Sequence, residues 1–177
     1  MKIRTAGSND FDAVLALNLE SERFLSPLTR ERLDSLHRAA DLHQVLEVEG
    51  QVVAFVLALR EGADYDSVNY RWFVERCERF LYVDRVVVAA DQHGRGFGRA
   101  LYERVFWRAR ATKVPVVTCE YDVEPRNLPS ERFHQAFGFA EVGRQSVAGG
   151  KKQVSLQAAS VDRARPIQTP AAGLPWV

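Results

Sequence analysis

VVVAADQHGRGFGRAL, residues 86–101, joins the end of an apolar run to the start of a helix through three alternating glycines, Gly94, Gly96 and Gly98. The first N–H groups of a helix have no intrahelical partner and carry the positive end of its dipole. Glycines without Cβ atoms let a phosphate approach those groups, and Arg95 and Arg99 add positive charge. A pyrophosphate is the ligand that such a turn predicts. The two commonest phosphate loops do not match it. A P-loop needs G-x-x-x-x-G-K-[ST], and no lysine lies near this turn. A dinucleotide fold places G-x-G-x-x-G after its first strand, whereas here the spacing is G-x-G-x-G and 80 residues of other structure precede the strand that begins at Leu81.

Working outward, Leu81 to Ala89 is a β-rich run continuous enough for a central strand, Gly98 to about Ala111 a helix, and Val114 to Val123 a second strand. Strand, helix, strand over 81–123 predicts a parallel pair with a right-handed crossover. Upstream, Ile3–Thr5 reads as a short strand, Ser8-Asn9-Asp10 as helix caps, and Val14, Leu15, Leu17 and Leu19 as the apolar stripe of a first helix. Ser26-Pro27 breaks that helix, and Leu33, Leu36 and Ala40 mark a second one over Thr29–Ala40. Val45–Val48 and Val52–Leu59 form a hairpin about Glu49-Gly50. Residues 61–80 read as a loop leading into a short helix. Downstream come a short helix over Pro129–Phe137, a strand from Phe139, a Gly149-Gly150 turn and a last strand over Lys152–Ala158. The fold class is therefore α/β: one domain over 1–159, with a mixed, mostly antiparallel sheet of about seven strands, a central parallel pair and about four helices. Residues 160–177 hold 3 of the 7 prolines and no periodicity, which predicts an extended tail.

The chain has 177 residues, 46% hydrophobic and 27% charged, enough for one sizeable core. Its 24 basic and 23 acidic residues leave a net charge of +1, which gives no footprint for nucleic acid or an anionic membrane. Two cysteines, Cys77 and Cys119, make no disulfide framework, and no Cys/His cluster has metal-ligand spacing, so no metal is expected. The opening residues lack the apolar run of a signal peptide, and no segment has ~18 consecutive apolar residues. A cytoplasmic location is the expectation.

The glycine turn resembles the acyl-CoA signature of the GNAT superfamily of N-acetyltransferases, Q/R-x-x-G-x-G/A, read here as His93-Gly94-Arg95-Gly96-Phe97-Gly98 with His at the first position. A second signature of that family, N-x-x-[AS]-x-x-x-Y-x-x-x-G-F, is matched by Asn127, Ser130, Gly138 and Phe139, with His134 where many members have Tyr. The resemblance covers about residues 2–159. It implies a twisted sheet whose parallel strands splay apart, with acetyl-CoA as co-substrate in the gap and direct acyl transfer to a primary amine of a small molecule or peptide. It also implies cofactor contacts from Val86, Val87, Val88, His93, Gly94, Arg95, Gly96, Phe97, Gly98, Arg99, Asn127, Ser130 and His134. A homodimer is compatible with it. The alternative is a catalytically silent acyl-CoA-binding regulatory domain of the same fold.

An alkylamine has a pKa of ~10, so a base must take its proton before it can attack a thioester. The oxyanion needs donors, expected from backbone N–H groups at 86–88. Strand alternation puts Tyr82, Asp84 and Val86 on one face and Val83, Arg85 and Val87 on the other; on the next strand Thr118, Glu120 and Asp122 share a face. Asp122 and Asp84 lead as candidate bases, with Glu120 third and Tyr82 also at a matching position. Asp122 lies five residues before Asn127, where some members that acetylate protein N-termini have a catalytic Glu. The competing reading of each acid is a solvated or Arg-paired carboxylate. Phe133 and Phe137 form the expected buried pair of the short helix, leaving His134 at the cleft edge, either to hydrogen-bond the thioester or thiolate sulfur when neutral, the favoured role, or to act as an acid when charged. Tyr65, Tyr70, Trp72 and Phe73 divide between core and acceptor pocket; Asn18, Phe24 and Ser26 are further acceptor candidates. Cys119 reads as a small buried strand residue, and His37 and His43 as surface residues.

Overall fold

The computed structural model describes residues 1–162. Seven strands form one sheet, β1 (Lys2–Thr5), β2 (Leu42–Val48), β3 (Gln51–Arg60), β4 (Leu81–Val88), β5 (Val116–Glu124), β6 (Ala140–Val147) and β7 (Lys152–Ser160). Five α-helices accompany it among the described residues, at the places the sequence suggested: α1 (Phe11–Glu20), α2 (Arg30–Ala39), α3 (Val68–Val74), α4 (Phe97–Ala111) and α5 (Leu128–Ala136). The strand order is β1-β2-β3-β4-β5-β7-β6, and every neighbouring pair is antiparallel except β4–β5. The expected tail lies outside the described residues except for 160–162, and Ser160 still belongs to β7.

Local chemistry explains most boundaries. Thr29 Oγ1 accepts from the Arg32 N–H at 3.2 Å and starts α2. Asn127 does the same for α5, accepting from the Ser130 N–H at 3.2 Å. Asp10 does not cap α1 through its side chain; its carboxylate accepts from the Gly7 N–H and from Arg4, which ties the first helix to β1. In α1, Phe11, Val14 and Leu17 are buried, but Leu19 is 67% exposed. The apolar stripe ends with Leu17 because Asn18 turns inward to polar partners.

Helices cover both faces of the sheet. On one face, Phe97, Leu101, Tyr102, Val105 and Phe106 of α4 recur at helical spacing and pack with Ala54, Val56, Val83 and Val117. On the other, α1, α2 and α3 contribute Phe11, Val14, Leu33, Leu36, Tyr70 and Phe73 against Phe55, Leu57 and Tyr82. Each such buried side chain contributes about 1.5–3 kcal/mol relative to exposure. Burial on both faces is why Ala54–Leu59 reads as one unbroken apolar run.

Two irregularities shape the centre. The β4–β5 ladder has only two register pairs, Leu81–Val117 and Tyr82–Thr118, after which the strands diverge. Opposite β3, the register jumps from Leu57–Arg85 to Ala58–Val83, so Asp84 is the extra residue of a β-bulge. The bulge overturns the simple alternation along β4. Tyr82 and Val87 pack on the α1/α3 face, where Arg85 also reaches Asn18, whereas Val83, Val86 and Val88 face α4. One inserted residue reverses the facing of everything after it.

Candidate active site

The divergence of β4 and β5 opens a cleft of about 1130 Å³ that runs from the glycine turn to the segment joining α1 and α2. At one end, Gly96 caps α4 in the left-handed region (φ 79°) without any side-chain cap, and Gly94 is also left-handed (φ 78°). Non-glycine residues are strained there, so these two positions demand glycine for conformation. A Cβ at either would meet nothing within 4 Å, so the space over the helix N-terminus is open. Uncapped N–H groups, the helix dipole and open space together fit a diphosphate. Arg99 lines the cleft beside them. Arg95 does not: its guanidinium lies over the Phe97 ring and bonds Gln92. His93, at the unusual first motif position, donates from Nε2 to the Val88 carbonyl at 2.9 Å and ties the turn to the end of β4. Val86 and Val88 line the cleft; Val87 is buried in the opposite core. Asn127 and Ser130, at the start of α5, line the far wall.

His134 is buried, at 4% exposure, whereas its neighbour Phe133 is only half-buried. Its Nδ1 donates to the Ser130 carbonyl at 2.7 Å, which leaves Nε2 to accept from the Tyr102 hydroxyl at 2.7 Å. Burial pushes its pKa down to about 4. Both ring nitrogens are engaged, so the ring is neutral near pH 7 and has no spare proton for a sulfur atom. Its visible task is to hold Tyr102 of α4, a residue that the motifs do not mark.

The three candidate acids differ sharply. Asp84 is enclosed: one oxygen accepts from the Tyr65 hydroxyl and the other from Arg85 Nε at 2.7 Å, with both side chains of the ion pair 4% exposed. Arg85 continues to Asn18 Oδ1 at 2.6 Å and Ser26 Oγ at 3.3 Å, pinning the α1–α2 segment to β4. Asp122 accepts from Lys152 Nζ of β7 at 2.8 Å. Glu120 makes no ion pair among the described residues, although the Arg85 charge is felt there. The Tyr82 hydroxyl lies 2.9 and 2.8 Å from its two oxygens, and Asn69 Nδ2 donates to Oε1 at 2.8 Å. Desolvation raises its pKa to about 7 against those hydrogen bonds, with the Asp84 charge also raising it. A carboxylate poised there exchanges protons at neutral pH.

Of the acceptor candidates, Phe24, Ser26 and Tyr65 line the cleft. Asn18 stands behind it, bonded to Arg85 and the Ser26 carbonyl. Tyr70 belongs to the core, its hydroxyl donating to the Arg60 carbonyl and accepting from the Ala63 N–H. Trp72 packs away from the cleft, over Gly143 and under Arg76. An apolar helix face claims both, which composition alone does not reveal. Cys119 is buried on β5 with its pKa raised by burial, as expected of a core residue. Among the described residues no group of three or more His, Cys, Asp or Glu is arranged to hold a metal, and no helix is long and apolar enough to cross a membrane.

A sequence profile described as the acetyltransferase (GNAT) family matches residues 11–139. No curated protein matches the chain by sequence. Among solved structures, the ribosomal-protein-S18-alanine N-acetyltransferase of Escherichia coli superposes with TM-score 0.68 at 16% identity, covering 99% of each chain. The ribosomal-protein-alanine N-acetyltransferase of Brucella melitensis gives 0.68 at 24% identity over 90% of this chain and 99% of its own. The yncA protein of Salmonella typhimurium, solved with acetyl-CoA, gives 0.69 at 19% identity over 97% and 98%. At these identities the likeness is one of fold.

Proposed function

The chain belongs to the GNAT family of acetyltransferases, and on that premise we propose that it is an N-acetyltransferase that moves acetyl from acetyl-CoA directly to a primary amine of a small molecule or peptide, with Glu120 as the general base. The observation that carries this reading is the pairing, within one cleft, of an open, uncapped helix N-terminus at Gly96 with a carboxylate whose pKa lies at about 7. The first feature suits the pyrophosphate of a CoA thioester and the second suits removal of an ammonium proton. The solved relative that holds acetyl-CoA supports that choice of donor.

In this reading the α4 N-terminus and Arg99 hold the diphosphate, and β4 past Tyr82, which has no β5 partner, presents backbone groups to the acyl end. Glu120 takes one proton from the ammonium, and the freed amine nitrogen attacks the thioester carbon to form the new C–N bond. The C–S electron pair departs with the sulfur, and the second proton shed by that nitrogen converts the thiolate to the thiol. Asp84 and Asp122 are occupied by Arg85 and Lys152 and serve to shape the acceptor side. General-base contributions are typically ~10²–10⁴-fold. Glu120→Gln is therefore expected to retain acetyl-CoA binding by calorimetry while thiol release with an amine panel falls by at least a hundredfold. A Gln variant with the wild-type rate and pH profile would remove Glu120 from this role. Binding of acetyl-CoA with no thiol release to any amine would favour the silent regulatory domain.

A further inference from the structure

Asn69 and Gln145 carry no motif, yet they complete the surroundings of Glu120. Asn69 is the second residue of α3 and lines the cleft. Its amide group is fixed at both ends. Nδ2 donates to Glu120 Oε1, and Oδ1 accepts from Gln145 Nε2 of β6. A carboxylate requires a donor, so the amide cannot turn over without losing the bond to Glu120, and the Gln145 donor selects the same orientation from the other side. The result is a one-way chain of donors, Gln145 to Asn69 to Glu120, across β6, α3 and β5. Oε1 faces both Asn69 and Tyr82, whereas Oε2 faces Tyr82 alone.

We propose that Asn69, held by Gln145, is the positioning residue that orients the Glu120 carboxylate and leaves Oε2 as its proton-accepting atom. The proposal rests on the reading of Glu120 as the base. It assigns to β6, an edge strand far from that residue in sequence, a direct hold on the reacting carboxylate. Core packing does not explain the pair: α3 is anchored by buried Tyr70 and Phe73, and an apolar side chain at 69 would keep those contacts.

The prediction is about proton affinity. Glu120 also feels Tyr82, Asp84 and Arg85 of β4, Tyr65 before α3, neighbouring Cys119, and Tyr102 of α4 across the sheet. None of these changes when residue 69 does. A donor to the charged form lowers a carboxyl pKa, so losing it raises that pKa. Asn69→Asp keeps the size and the Gln145 bond but sets a second carboxylate beside the first, which raises it further.

The test is kcat/KM for the amine between pH 5 and 9, at saturating acetyl-CoA, for wild type, Asn69→Asp, Asn69→Leu and Gln145→Leu. The acid limb is expected to move upward by about one pH unit in Asn69→Leu, a roughly tenfold loss at pH 6 that recovers at alkaline pH, and further in Asn69→Asp. Gln145→Leu should shift it less and in the same direction. An acid limb unmoved in folded Asn69 variants, or a uniform loss at every pH, overturns the proposal. If the Asp variant fails to fold, the Leu variants decide. Glu120→Gln, run alongside, separates the two claims: loss of the limb in that variant with no shift in the others rejects Asn69 alone, whereas survival of the limb rejects the base and the proposal together.

Discussion

His43 offers a sharp test of how this fold responds to acid. The residue is not at the surface, as its sequence neighbours suggest, but 5% exposed on β2 between the rings of Phe11 and Phe55. Its Nδ1 lies 2.9 Å from Nδ1 of His37, so the two rings share one proton, and its Nε2 is buried with no hydrogen-bond partner among the described residues. Desolvation, then the nearby His37, lowers its pKa from 6.5 to about 4, with Asp10 opposing. The unfolded chain therefore binds the proton first. Stability is intact above pH 6.5 and is lost as pH falls from 6.5 toward 4. Between pH 7.5 and 5.0 this one group removes about 2 kcal/mol of stability. Urea unfolding of wild type and His43→Leu at both pH values measures it. The fall in ΔG is expected to be about 2 kcal/mol larger in wild type, since His134, also lowered to about 4, remains in both proteins. Equal falls in the two proteins would refute the assignment of that penalty to His43.

Two further outcomes follow from the cleft. Gly96→Asp places a carboxylate over the open N-terminus of α4 and should weaken acetyl-CoA binding at least tenfold by calorimetry, roughly 1.4 kcal/mol; Gly96→Ala, with the same backbone strain and no charge, should lose less, and equal losses would show strain alone. Because both His134 nitrogens are engaged, wild-type kcat at saturating amine should show no alkaline loss through the ordinary histidine range near 6.5, and such a loss would reveal an imidazolium acid.

The sequence carried the strand–turn–helix at 81–111, the parallel crossover and the hairpins, because each is written in local periodicity or glycine spacing. The Asp84 bulge was not legible, since it exists only in the pairing of β4 with β3, residues 54–60. The order of the acids was hidden for a related reason. Asp122, Asp84 and Glu120 look alike in a string; Lys152 and Tyr65 reach the first two from distant positions, adjacent Arg85 pairs with Asp84, and Glu120 has the neutral donors Tyr82 and Asn69 instead. Asn69, Gln145 and Tyr102 were missed altogether. An amide or a tyrosine gives no pattern until its partner is known. Tyr70 and Trp72 illustrate the converse, aromatic residues in a polar segment that packing claims for other purposes.

The two-rung ladder between β4 and β5 makes the sheet a pair of leaves joined by a short seam. Side chains from both leaves pack around Leu81, Val117 and Cys119 at the closed end, while Thr118 Oγ1 is buried there without a hydrogen-bond partner among the described residues. Beyond the seam no backbone pair joins β4 to β5, and side-chain bonds such as Tyr82 and Asn69 to Glu120 are what cross between the leaves. A ligand that occupies the gap thus adds to the cohesion of the fold as well as to its chemistry, raising stability by RT ln(1 + [L]/Kd). Amide exchange should slow most along the inner margins of β4 and β5, and least in β1 and β6, where the sheet ends in any case.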